Sequence, residues 1–123
     1  MSDGFSTRSW QKVTVRVLFV CSQNKLRSPT AEQVFAEWPG VECSSAGTNR
    51  GAETPLTAEL VEWADVIYAM EKQHQRKLQE RFRVQLKGKR VVCLGIPDNY
   101  SFMQPALVAL LRANVGRHLS AGA

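Results

Sequence analysis

The chain has 123 residues, 44% apolar and 22% charged, which suits one domain with an ordinary buried core and excludes a disordered or collagen-like polypeptide. Its longest wholly apolar run, Ala106 to Leu111, is far short of the ~20 residues that span a bilayer, and Met1 to Lys12 lack the apolar stretch of a secretory signal. The net charge of +5 is local: Glu71 to Arg90 holds eight Lys/Arg against two Glu, and the rest of the chain eight basic against nine acidic residues.

Residues 1–12 read as a flexible amino-terminal arm and 13–123 as one domain. Val13 to Val17 alternates and then runs apolar through Leu18-Phe19-Val20, the pattern of a buried parallel strand. Pro29 sits in a first helical turn, with Ala31, Val34, Phe35 and Trp38 at helical spacing, and Pro39-Gly40 ends that helix. A short strand over Val41–Ser44 leads into Ala46-Gly47. Thr57 caps a short helix carrying Leu60, Trp63 and Ala64. Asp65–Met70 is a third strand, Glu71–Phe82 a polar surface helix and Val91–Leu94 a fourth strand. Pro105 opens a last helix with Leu107, Leu110 and Leu111. Strands separated by helices predict a four-stranded parallel sheet with helices on both faces, flavodoxin-like in connection. Ligands of such sheets bind beyond the carboxyl ends of the strands. That edge gathers Cys21–Ser28, Ser45–Thr48, Met70-Glu71 and Ile96–Tyr100.

The loop after the first strand, Cys21-Ser22-Gln23-Asn24-Lys25-Leu26-Arg27-Ser28, has the parts that metal-free cleavage of a phosphate monoester requires. Loop amides and a helix N-terminus converge on an anion. Arg27 can grip two phosphate oxygens at once, which Lys cannot. Cys21 at the loop's base is placed to attack phosphorus in line, as a thiolate. Among other candidates, His74 and His118 stand alone on polar segments and read as surface residues. Cys43 and Cys93 lie in strands and read as core. Three cysteines without a CxxC pair fit neither a disulfide scaffold nor a zinc knuckle, so a cytoplasmic, reducing location is expected, with no metal and no cofactor. Scattered Trp10, Trp38 and Trp63 make no aromatic–basic platform for nucleic acid.

Val17–Cys21, Asn24, Arg27-Ser28-Pro29 and Ala31-Glu32, followed by Ser45–Thr48, Ala64–Met70 and Asp98-Asn99-Tyr100, resemble the signature of the low-molecular-weight protein tyrosine phosphatase family. The resemblance implies that family's fold and a hydrolase acting through a phosphocysteine. It makes Cys21 the nucleophile, Arg27 the clamp and Asp98 the acid that protonates the leaving oxygen and then activates water. Ser22, Gln23, Asn24, Lys25 and Leu26 would cradle the phosphate. Ser28 would donate to the Cys21 sulfur, Asn24 would shape the loop with Ser45 as its hydrogen-bonding support, and Tyr100 would flank the cleft. The expected partner is a phosphotyrosine protein or a small aryl phosphate.

Three features depart from the family. Asn99 replaces the Pro after the acid, Gln23 stands where Gly is common, and only sixteen residues separate Thr48 from Asp65, which implies a shallower and more polar cleft. Two rival readings follow: a non-catalytic phosphate- or phosphoprotein-binding module, and an arsenate reductase that passes oxidation to further cysteines. The basic 71–90 segment reads first as a solvated helix face and otherwise as a docking face for an acidic partner.

Overall fold

The computed structural model describes residues 14–122. The expected arm over 1–12, with Trp10, lies outside the described residues. In chain order the elements are β1 (Val15–Cys21), α1 (Arg27–Phe35), β2 (Val41–Gly47), α2 (Ala58–Trp63), β3 (Val66–Ala69), α3 (Lys72–Arg81), β4 (Arg90–Cys93) and α4 (Pro105–Leu111). A π-helical turn over Arg112–Gly116 carries α4 into α5 (Arg117–Gly122). The four strands order as β2-β1-β3-β4 and every pairing is parallel, so the expected sheet is the one found.

β1 is central because it is apolar on both faces. Val17 to Val20 have no solvent exposure, and their alternating side chains feed two separate cores. Val17, Phe19 and Cys21 join Ala31 and Phe35 of α1, Tyr68, and Leu107 and Leu111 of α4. Leu18 and Val20 join Val61 of α2, Ile67, Ala69 and Leu78 of α3. Each such burial contributes ~1.5–3 kcal/mol. Phe19 stacks between Phe35 and Tyr68, with centroids 5.9 and 5.6 Å apart. Trp38 meets Phe35 edge-on at 4.8 Å.

β2 is longer than the sequence pattern implies. Its seven residues pair with β1 from Val15↔Val41 through Cys21↔Gly47, because a fully buried partner strand supplies ladder bonds that the polar Ser44-Ser45 pair does not advertise. Gly47 ends the strand where nothing larger fits. A Cβ there would sit 2.5 Å from the Ser22 carbonyl oxygen, 2.6 Å from Ala52 Cβ and 3.0 Å from the Asn24 nitrogen. Gly47→Ala is therefore expected to push the loop after β1 off its position. The overpacking should cost ~1–3 kcal/mol of stability and about tenfold or more in phosphate affinity, read by denaturant midpoint and phosphate titration. Unchanged phosphate affinity would show that the loop tolerates the shift.

Thr57 caps α2 as expected, its Oγ1 accepting from the Leu60 N–H at 3.2 Å. α3 opens on a reciprocal cap between Glu71 and His74. α1 has no side-chain cap at all, so its first amides remain for another acceptor.

Candidate active site

The loop between β1 and α1 closes on the Cys21 sulfur. Asn24 adopts φ +57°, a left-handed backbone that Asn tolerates better than most residues, and this turns its N–H back to donate to Cys21 Sγ at 3.3 Å. Ser28 Oγ lies 2.9 Å from the same sulfur and donates to Asn24 Oδ1 at 2.8 Å. The one hydroxyl proton of Ser28 thus has two claimants. With a thiol, the S–H donates to Ser28 and Ser28 to Asn24; with a thiolate, the Ser28 proton can turn to the sulfur.

Cys21, Ser22, Gln23, Lys25, Leu26, Arg27 and Asp98 line one cavity of about 210 Å³ at the carboxyl edge of the sheet. Cys21 itself is only 3% exposed, so a reagent meets its sulfur through that cavity. The cleft is braced from behind by residues 48–56, which fill the short interval after β2. The Asn49 N–H donates to the Ser22 carbonyl at 2.9 Å and the Glu53 N–H to the Gln23 carbonyl at 3.0 Å.

Arg27 is buried, and its Nη1 donates to Glu71 Oε1 at 2.9 Å and to the Ile96 carbonyl at 2.8 Å. The anchored Nη1 leaves the Nε–Nη2 edge for a bidentate anion. Asp98 Oδ1 lies 3.8 Å from Arg27 Nε with its carboxylate 65% exposed. Ile96 is buried, and its N–H donates to the Met70 carbonyl at 2.8 Å. The backbone two residues before Asp98 is therefore tied on both sides, which offsets the Pro that Asn99 replaces.

Four expectations need correction. Ser45 does not support Asn24: its hydroxyl donates to Glu32 Oε1 of α1, and Ser28 takes the Asn24 carbonyl. Tyr100 is half-buried against the core and is not among the residues lining the cavity. His74 is completely buried, with Nε2 2.8 Å from Ser22 Oγ and Nδ1 accepting the Glu71 N–H at 3.0 Å. His118 is half-buried, its Nδ1 3.2 Å from the Tyr68 hydroxyl. Glu71 and His74 went unassigned because an acidic N-cap and a histidine on a polar helix look like solvated surface. The usable signal was position, since Glu71 lies two residues beyond the end of β3, at the ligand edge.

The electrostatics follow from these contacts. The hydrogen bond from Arg27 holds the Glu71 carboxyl below the usual carboxylate range. Burial, reinforced by the Arg27 charge, pushes the His74 imidazole down to about 4. As pH falls, unfolded His74 takes up its proton near ~6.5 while the folded ring stays neutral. Stability should thus be full above that value, fall by about 3 kcal/mol down to pH ~4, and lose nothing further from this group below it. The Glu71 contribution is lost at lower pH, as its carboxyl protonates. Denaturation of the parent and of His74→Gln across this window checks the sign, with the variant expected to show the flatter profile.

The strand register also fixes the distances between cysteines. Cys43 pairs with Val17 and Cys21 with Gly47, which puts Cys43 and Cys21 ~13 Å apart along the strands. Cys93 pairs with Ala69 on β3, two strands from β1, or ~10 Å. A disulfide needs Cα atoms within ~7 Å. Burial and the nearby Glu32 carboxylate also push the Cys43 thiol up to about 12. Peroxide inactivation through Cys21 is therefore expected to resist dithiothreitol rescue and to advance to the sulfinic acid, with bound phosphate protecting. Intact-mass analysis checks this; full rescue through an intramolecular disulfide would contradict it.

The basic 71–90 segment is only partly free. Arg81 Nη2 donates to the Thr48 carbonyl at 2.7 Å, and Lys89 Nζ donates to the carbonyls of Glu62 and Ala64 at 2.9 and 2.6 Å. Arg76, Arg83 and Lys87 line an open groove of about 700 Å³ together with Gln79, Glu80, Val84 and Leu86. Among the described residues no helix is long and apolar enough to cross a membrane.

No family model matches the chain, and no curated protein does. Solved structures match across most of its length. YwlE arginine phosphatase from Geobacillus stearothermophilus aligns with a TM-score of 0.69 at 24% identity, covering 86% of this chain and 93% of that one. The tyrosine phosphatase Wzb from Escherichia coli K30, in complex with phosphate, aligns with a TM-score of 0.72 at 21% identity, covering 89% and 99%. SP-PTP, a low-molecular-weight protein tyrosine phosphatase from Streptococcus pyogenes, aligns with a TM-score of 0.73 at 20% identity, covering 89% and 93%. The chain has the fold of the low-molecular-weight protein tyrosine phosphatases.

Proposed function

We propose that this chain is a cysteine-dependent phosphatase of phosphomonoesters, acting on phosphotyrosine proteins or small aryl phosphates through a phosphocysteine. The observation that carries the reading is the convergence, on one 210 Å³ cavity, of a sulfur ringed by hydrogen-bond donors, an anchored arginine and a carboxylate. The likeness to tyrosine and arginine phosphatases supports it.

The chemistry balances on these groups. The Cys21 thiolate attacks phosphorus as the bond to the ester oxygen breaks. Asp98 gives its proton to the departing oxygen. Arg27 and the loop amides hold the equatorial oxygens, where charge accumulates. Asp98, now a carboxylate, takes a proton from the attacking water; the P–S bond breaks and Ser28 donates to the released thiolate. The cysteine separations favour this over the reductase reading, in which a second thiol must reach the first.

Hydrolysis of an aryl phosphate in the presence of a chelator tests the proposal. Metal-independent turnover that Cys21→Ser removes is expected. Phosphate binding with no turnover on aryl, phosphotyrosine or phosphoarginine substrates would leave a binding module instead. For the acidic partner, the candidate surface is the groove of Arg76, Arg83 and Lys87, whose three cations outnumber its one carboxylate, Glu80, and complement an acidic segment bearing an apolar side chain for Val84 and Leu86. Charge reversal at Arg83 should weaken binding of such a peptide, and unchanged binding would remove the groove from the account.

A further inference from the structure

The hydrogen bonds at the start of α3 determine where every proton of the His74–Ser22 pair sits. The Glu71 N–H donates to His74 Nδ1, so that nitrogen is an acceptor. A neutral ring then carries its single proton on Nε2, 2.8 Å from Ser22 Oγ. The imidazole donates and the hydroxyl accepts. Ser22 keeps its own proton, and among the described residues its Oγ has no other hydrogen-bond partner. Ser22 directly follows Cys21 and lines the cavity.

We propose that His74 is a positioning residue: by donating to Ser22 Oγ it turns the Ser22 hydroxyl into a fixed donor to a phosphoryl oxygen bound beside Cys21. The inference rests on the phosphatase reading and deepens it, since it adds a side-chain donor to the amides and to Arg27. The same helical turn holds both Arg27, through the Glu71 carboxylate, and Ser22, through the His74 ring. The charged groups acting on His74 are Arg27, Glu71, Lys77 and Asp98. Burial and Arg27 keep the ring in its neutral form at neutral pH, which preserves a tautomer that a second proton would erase.

The test combines phosphate binding, kinetics and imidazole NMR on the full chain. In the parent protein, nitrogen spectra should show His74 protonated at Nε2 only; the Nδ1-protonated tautomer would overturn the proposal outright, with no variant needed. Ser22→Ala and His74→Asn should each weaken phosphate binding and lower kcat/KM by about 10- to 100-fold, the range for a lost donor to a charged acceptor. His74→Gln can still accept from Glu71 and donate to Ser22, and should recover most of the loss. The double variant Ser22→Ala/His74→Asn should be no worse than Ser22→Ala alone. Additive losses, or equal losses in the Gln and Asn variants, would make His74 a packing residue. A parent protein that binds phosphate with the expected tautomer and coupling but turns over no phosphomonoester would sink the enzyme reading and leave the donor assignment standing.

Discussion

Cys21→Ser is expected to abolish turnover to the uncatalysed rate while phosphate and vanadate still bind. The loop closes on the Cys21 sulfur, and the groups that hold the anion are independent of it. The loop amides, the uncapped first turn of α1 and Arg27 all remain when sulfur becomes oxygen. A serine hydroxyl is protonated at neutral pH and a far weaker nucleophile than a thiolate, and the His74 ring is committed to Ser22 and Glu71. Arg27→Lys should lose about 10²–10³ in kcat although charge is kept. Nη1 is held by Glu71 and the Ile96 carbonyl, and a lysine with one nitrogen cannot stay anchored there and also fork onto two oxygens. Substantial hydrolysis by Cys21→Ser would contradict the mechanism.

Asp98→Asn is expected to slow the reaction by ~10²–10⁴ with poor leaving groups. Asp98 sits at the cavity wall, 3.8 Å from Arg27 Nε, where it can reach an ester oxygen on the solvent side of a phosphate held over Cys21. The loss should shrink as the leaving group becomes more acidic, because a phenolate that departs unaided needs no proton. Steady-state rates across a series of aryl phosphates measure this slope. An equal loss for every leaving group would mean that Asp98 positions the loop and does not donate a proton.

Much of this site could be read from the chain because its parts are local. The buried strand, the loop and the first turn of α1 are contiguous from Val17 to Pro29, and their residue types state the geometry directly. Thr57 as a cap and Pro105 as a helix start follow equally local rules. What escaped the sequence was long-range. Glu71 meets Arg27 and His74 meets Ser22 only after β3 pairs with β1, across 44 and 52 residues. The family resemblance makes Ser45 the support of Asn24, but the Ser45 hydroxyl donates to Glu32 of α1. Tyr100 follows the acid as a cleft aromatic would, yet it packs half-buried against the core. Periodicity also undersold β2, whose last residues are polar or small and owe their place to pairing with β1.

The most direct measurement is rapid quench of Asp98→Asn with an activated aryl phosphate, followed by peptide mass analysis. The activated ester lets the first step proceed without an acid, while the second step lacks the base that activates water, so the intermediate should accumulate. One phosphoryl group is expected on the peptide containing Cys21, formed in step with release of the phenol. Continued phenol release with Cys21 unmodified, or the phosphoryl group on any other residue, would contradict it.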